Sequence, residues 1–70
     1  MNQTNNSRLL VGGVKLLKDF TAELVVVSVV GGQVQVEGQN LRIARFDENE
    51  IEIIGKIENV ETISSGKRKL

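Results

Sequence analysis

The sequence has no cysteine, histidine, proline, tryptophan or tyrosine, and only two phenylalanines. Each absence removes a class of explanation. Without cysteine there is no disulfide scaffold, and without cysteine or histidine the usual zinc clusters are excluded. The same two absences rule out Ser-His-Asp and Cys-His nucleophilic centres. With aromatics this scarce, a stacking platform for nucleic-acid bases has little to be built from. Net charge is absent too, because nine basic residues balance nine acidic ones. Overall electrostatics therefore favour neither nucleic acid nor an anionic membrane. The most apolar run, Leu24–Val30, is interrupted by Ser28 and is far short of the roughly 20 residues that span a bilayer. Met1–Asn6 is polar and does not have the form of a secretory signal. These features lead us to expect a soluble, cytoplasmic protein.

At 70 residues the chain is a single domain. A core of this size is marginal unless packing is very good or a partner completes it. The ends, 1–7 ("MNQTNNS") and 64–70 ("SSGKRKL"), are polar and are expected to be disordered. The folded part is then 8–63.

Within 8–63 the signals are those of β structure. Valine and isoleucine are abundant, and alanine is confined to Ala22 and Ala44. "QVQVE" alternates with Val34 and Val36 on one face, and "EIEII" sets Ile51 and Ile53 against Glu50 and Glu52. "LRIARF" places Leu41 and Ile43 on one face and Arg42, Ala44 and Phe46 on the other. "VKLLKDF" (14–20) is the one helix candidate and reads better as a strand followed by a turn. "ELVVVSVV" is apolar on both faces, which suits a central strand or an association surface. Leu24, Val25, Val26, Val27, Val29 and Val30 are the candidate association residues.

Glycine supplies the punctuation. Gly31-Gly32 between two β runs predicts a two-residue hairpin turn. Gly13, Gly38 and Gly55 each follow one β-like run and precede another. Their unequal spacing is not that of a solenoid. It fits a repeated bend where the backbone needs a positive φ or turns a barrel corner. "FDENE" is a further turn, in which Asp47 and Asn49 are expected to make Asx-type bonds. The predicted fold is all-β: a compact meander or roll of six to seven short strands with glycine bends.

Chemistry is harder to find. Acids gather at Asp47, Glu48, Glu50, Glu52, Glu58 and Glu61, and paired carboxylates can do acid–base work. Glu50 and Glu52 alternate with isoleucines, however, which marks a solvated face. The acids also lack the ligand spacing of a calcium-binding EF-hand loop. "VGGVK" and "VVGGQ" match no phosphate-binding glycine loop. Phe20 and Phe46 follow apolar strands and are expected in the core. No catalytic residue, metal site, cofactor or small-molecule substrate is assigned. What remains is association: unblunted strand edges invite pairing, so a homo-oligomer is expected. An alternative is a small RNA-binding β-barrel of RNA-chaperone type, which would need an exposed aromatic or basic strand face.

Four blocks in order, "GVKLLKDF", the apolar strand after it, "VEGQNLRI" with its Gly-x-x-Leu segment, and "IEIIGKIENVE", run across Leu9–Ile63. In this arrangement the sequence resembles the YabP/YqfC family of small sporulation proteins. The resemblance implies a non-enzymatic protein that acts by assembly in spore envelope formation, beside a membrane-protein partner. It also implies a place in the cytoplasm, peripheral to a membrane in sporulating cells. No nucleic acid is implied. Lys67, Arg68 and Lys69 could steer the chain towards an anionic surface, at about 1 kcal/mol per charge.

Overall fold

A computed structural model describes residues 7–64. These form five strands: β1 (Ser7–Gly12), β2 (Val14–Phe20), β3 (Leu24–Val29), β4 (Gly32–Phe46) and β5 (Glu50–Ser64). All neighbours are antiparallel, in the order β1-β5-β4-β3-β2. β2, β3, β4 and β5 form a plain meander. β1 and β2 are consecutive in the chain yet sit at opposite ends of the ladder, joined only by Gly13 (φ 66°). The sheet therefore rolls up, and two cross-bonds hold the corner: Val30 N–H to Gly13 C=O (2.9 Å) and Val14 N–H to Asn49 C=O (3.1 Å). The segment 14–20 is strand, and the all-β roll holds.

Five strands replace the expected six to seven because β4 and β5 run through Gly38 and Gly55 without breaking. Each is 15 residues long. They curl instead of reversing, and irregularities in their shared ladder show how. Gln39 faces Lys56 and Arg42 faces Ile54, so Asn40 and Leu41 together oppose Gly55. Asn40 is left-handed (φ 52°) and Gly55 has φ 136°. Glu58 is an extra residue on β5 between the partners of Glu37 and Gly38, and Ala44 is one on β4 between the partners of Ile53 and Glu52. Such bulges bend a strand and raise its twist. The bend of β4 thus lies at Asn40–Leu41. Gly38 has no positive φ; it is needed for another reason, since a Cβ there would collide with the Lys56 carbonyl.

The curl turns one sheet into two facing layers. β1, the first half of β5 and the second half of β4 form one layer; β2, β3, the first half of β4 and the second half of β5 form the other. Val25, Val27 and Val36 of the second layer meet Ile51 and Ile53 of the first, all fully buried. Val11, Val14 and Leu41 close the cluster. Aliphatic side chains alone make up this core, and among the described residues no buried polar side-chain atom is left unpaired.

Three local expectations change. The β3–β4 turn sits one residue earlier than Gly31-Gly32: Val29 pairs with Gly32, leaving Val30 and Gly31 as the turn. Of these only Gly31 has positive φ (88°), which matches a type II pattern, not the doubly positive type I′. Phe46 pairs with Ile51, so it lies on the Leu41–Ile43 side; the Ala44 bulge breaks the strict alternation that put it opposite. Nor is either phenylalanine in the core, since Phe20 is 46% and Phe46 48% exposed. Both end their strands, where the facing layer has run out. Ser7 and Ser64, assigned to the disordered ends, are strand residues; the rest of both ends lies outside the described residues.

Gly55 carries both a positive φ and a close approach, as an added Cβ would stand 2.6 Å from the Asn40 carbonyl oxygen. Gly55→Ala is therefore expected to lose at least about 1–3 kcal/mol in urea unfolding, whereas Gly12→Ala, with nothing within 4 Å, should stay within about 0.5 kcal/mol of the parent. Ile51→Ala should cost about 2–5 kcal/mol. Equal stabilities for Gly55→Ala and Gly12→Ala would contradict the corner described here.

Candidate interaction surface

Charged side chains divide between the outer face and the turns. On the outer face of the first layer, Arg8 and Glu52 form an ion pair (3.1 Å) across β1 and β5. Arg45 holds both Asp47 (3.4 Å) and Glu50 (3.7 Å) at the β4–β5 turn. That turn is closed by Asp47 N–H to Glu50 C=O (2.8 Å). The expected Asx bonds from Asp47 and Asn49 do not form among the described residues; the Arg45 pair and the Asn49 carbonyl bond to Val14 take their place. Exposed pairs like these contribute about 0–1 kcal/mol each.

The acids do not converge into a reactive centre. An open cleft of about 660 Å³ is lined by Gly12, Gly13, Asp47, Glu48, Asn49 and Glu50. Its floor is turn backbone, and two of its carboxylates are already engaged by Arg45. Among the described residues no group of three or more acids could hold a metal ion. Glu52 faces Arg8 on one layer, while Glu58 lies on the other half of β5, where it accepts a bond from Gln39 Nε2 (3.1 Å).

Exposed apolar residues are more informative. Leu10 (51%) and Leu16 (58%) project from β1 and β2, Val30 (75%) caps the β3–β4 turn, and Val60 (44%) and Ile63 (43%) lie on the distal half of β5. The valine-rich strand contributes less. Val25 and Val27 are fully buried, because β3 is paired on both sides and its inner face meets the other layer. Of the candidate association residues, Leu24, Val26 and Val29 are half-buried and Val30 is exposed. Sequence reading concentrated on valine density and passed over β5, whose apolar residues are interleaved with Glu58, Asn59 and Glu61.

The glycines fall at structural positions. Gly13 joins β1 to β2, Gly31 forms the turn, Gly32 opens β4, and Gly38 and Gly55 lie where β4 and β5 approach closely. The two phenylalanines do not combine into a stacking surface. Phe20 ends β2 beside the Thr21–Glu23 turn, and Phe46 ends β4 at the other end of the roll, beside Ile51. Thr21 Oγ1 accepts bonds from the Glu23 and Leu24 amides (3.1 and 3.0 Å). That turn in turn caps the β4 bend, with Gly38 N–H donating to Glu23 C=O and Leu41 N–H to Ala22 C=O.

Strand edges differ in their protection. β2 ends the ladder, but its register shifts twice and Lys15 and Lys18 project from it. Arg42, Arg45 and the Ala44 bulge guard the end of β4. β1 covers β5 only as far as Gly55, paired with Ser7, so residues 56–64 have β4 on one side and no strand of the described residues on the other. From Asn59 to Ser64 this edge is regular. Lysine and bulges are common devices against unwanted edge pairing, and this segment has neither.

No helix among the described residues is long and apolar enough to cross a membrane. No curated protein matches the sequence. The model of the YabP family does, over residues 1–69. That range includes the whole rolled sheet of the described residues. It is not a known enzyme family, and membership points to a role in sporulation. The chain belongs to the YabP family.

Proposed function

We propose that this chain is a non-enzymatic protein of spore envelope formation that works by protein–protein assembly. One observation carries the reading: its large exposed apolar side chains sit on strands, on the β3–β4 turn and at a strand edge with no described strand beside it, whereas its carboxylates are spread over turns and an outer face. A small rolled sheet with a fully aliphatic core is a rigid body for presenting edges. It offers a substrate no enclosed polar site.

Assembly has two parts in this proposal. The chain associates with further copies of itself, and it acts beside a membrane-protein partner, as its resemblance to the YabP/YqfC family implies. It works in the cytoplasm, peripheral to the membrane, and Lys67, Arg68 and Lys69 add electrostatic attraction to an anionic surface. Neither nucleic acid nor a small-molecule substrate has a role in it.

Surface and chemistry can be separated by substitution. Leu16→Glu and Ile63→Glu alter exposed positions, so each should leave stability within about 0.5 kcal/mol of the parent. In spore-forming cells at least one should nevertheless reproduce the sporulation defect of a deletion. Combined Asp47→Asn, Glu48→Gln and Glu50→Gln should sporulate normally. The opposite pattern, with the acid variant defective and both surface variants normal, would place function in the cleft and sink the assembly reading. Removing Lys67–Leu70 should weaken co-sedimentation with vesicles containing anionic lipid; unchanged binding takes the tail out of the mechanism.

A further inference from the structure

The proposed self-association leaves open which surface pairs and in what register. The free edge of β5 is constrained enough to answer both. Its regular segment, Asn59–Ser64, shows alternating faces: Val60 and Thr62 pair with Val36 and Val34 and share the core side, while Asn59, Glu61 and Ile63 pair with Glu37, Gln35 and Gln33 on the outer side. Val60 is the residue of interest. Its partner Val36 is fully buried, yet Val60 itself is 44% exposed, because no strand of the described residues lies beyond it on the same sheet.

Two identical strands that extend one antiparallel sheet are related by a two-fold axis normal to that sheet. The axis keeps each side chain on its own face, so the centre of pairing falls on a residue opposite its own copy. Five centres are available in the regular segment before Ser64. Centring on Glu61 sets that carboxylate against its copy, which is destabilising. With Asn59 at the centre, Val60 falls opposite the Glu58 bulge and no second pair forms within the regular segment. Thr62 as centre puts Glu61 against Ile63 and leaves Val60 facing Ser64. Ile63 as centre sets Thr62 against Ser64 and leaves Val60 opposite no residue of 59–64. Val60 alone sets the exposed core-side residue against its own copy: Val60 meets Val60, and Asn59 meets Glu61, where an amide can donate to a carboxylate and no like charges oppose.

We infer that the distal half of β5 is a homodimerisation edge, in which two copies pair antiparallel about Val60 and join their two sheets into one. This inference rests on the self-association proposed above and specifies its site. A contact confined to one strand edge belongs among the small interfaces, below about 1,200 Å². The dimer is therefore weak, and it forms as concentration or a shared membrane surface raises local density.

A protein without cysteine makes the test clean, because a single introduced thiol has no competitor. Directly opposed residues in an antiparallel pair have Cβ atoms about 4.5–5.5 Å apart, close to disulfide range. Full-length Val60→Cys, under mild oxidation, should form a covalent dimer at least about tenfold faster than Thr62→Cys or Leu16→Cys. Mixing Asn59→Cys with Glu61→Cys should give the heterodimer in excess over either homodimer. In sedimentation between about 10 µM and 1 mM, the parent should shift from monomer towards dimer. Val60→Lys, at an exposed position and with unchanged circular dichroism, should raise the dimer Kd at least about tenfold. A parent that dimerises while Val60→Lys has no effect, or one in which Thr62→Cys cross-links fastest, overturns the site or register and leaves self-association standing. A parent that stays monomeric throughout overturns both, including the case where residues preceding Ser7 fill the edge from within the chain.

Discussion

Everything in this molecule depends on the close approach of two paired backbones, β4 and β5, at Gly38 and Gly55. A Cβ at Gly38 would strike the Lys56 carbonyl, and one at Gly55 would crowd the Asn40 carbonyl. Because glycine allows that approach, two long strands bend together without losing their ladder. Bending brings Ile51 and Ile53 over Val25, Val27 and Val36, and so creates the only fully buried cluster of the described residues. Had both strands run straight, the sheet would have a single layer with both faces in water, and the described residues hold no second element to cover either. The β2–β3 turn then secures the corner from outside, accepting bonds from the Gly38 and Leu41 amides.

The same bend determines what is left over. The described part of β1 begins at Ser7, opposite Gly55, at the point where β5 changes layer. The distal half of β5 therefore has one edge without a strand beside it among the described residues, and Val60 keeps an apolar surface there. In the proposed assembly a second copy completes this edge.

Much of this was legible in the sequence. Alternation in "QVQVE" and "EIEII" gave the right inner faces, because each run lies in a regular stretch between bulges. Gly13 and Gly55 drew notice in the sequence because each sits between two β runs; the structure gives both a positive φ. The strand count and the face of Phe46 were not legible, and for one reason: bulges at Asn40–Leu41, Ala44 and Glu58 change the side-chain period without leaving a turn signature. Strand continuity through Gly38 depends on pairing with Lys56 and Ile57, far along the chain, which local pattern does not report. Valine density likewise misdirected attention from β5. A run apolar on both faces marks an internal strand such as β3 as readily as an interface, whereas the exposed edge is disguised by its glutamates. The family was legible because block order survives these local irregularities.

Residue-level amide exchange on the dilute and the concentrated protein tests the central claim most directly. In dilute solution the amides of Val25, Val27, Ile51 and Ile53 should exchange slowly, while the alternate amides of residues 59–64 that point away from β4 exchange fast. Raising the concentration should slow that second set and leave the core set unchanged. Fast core exchange, or an outer edge of β5 that is already slow in dilute solution and indifferent to concentration, would contradict an open edge completed by another molecule.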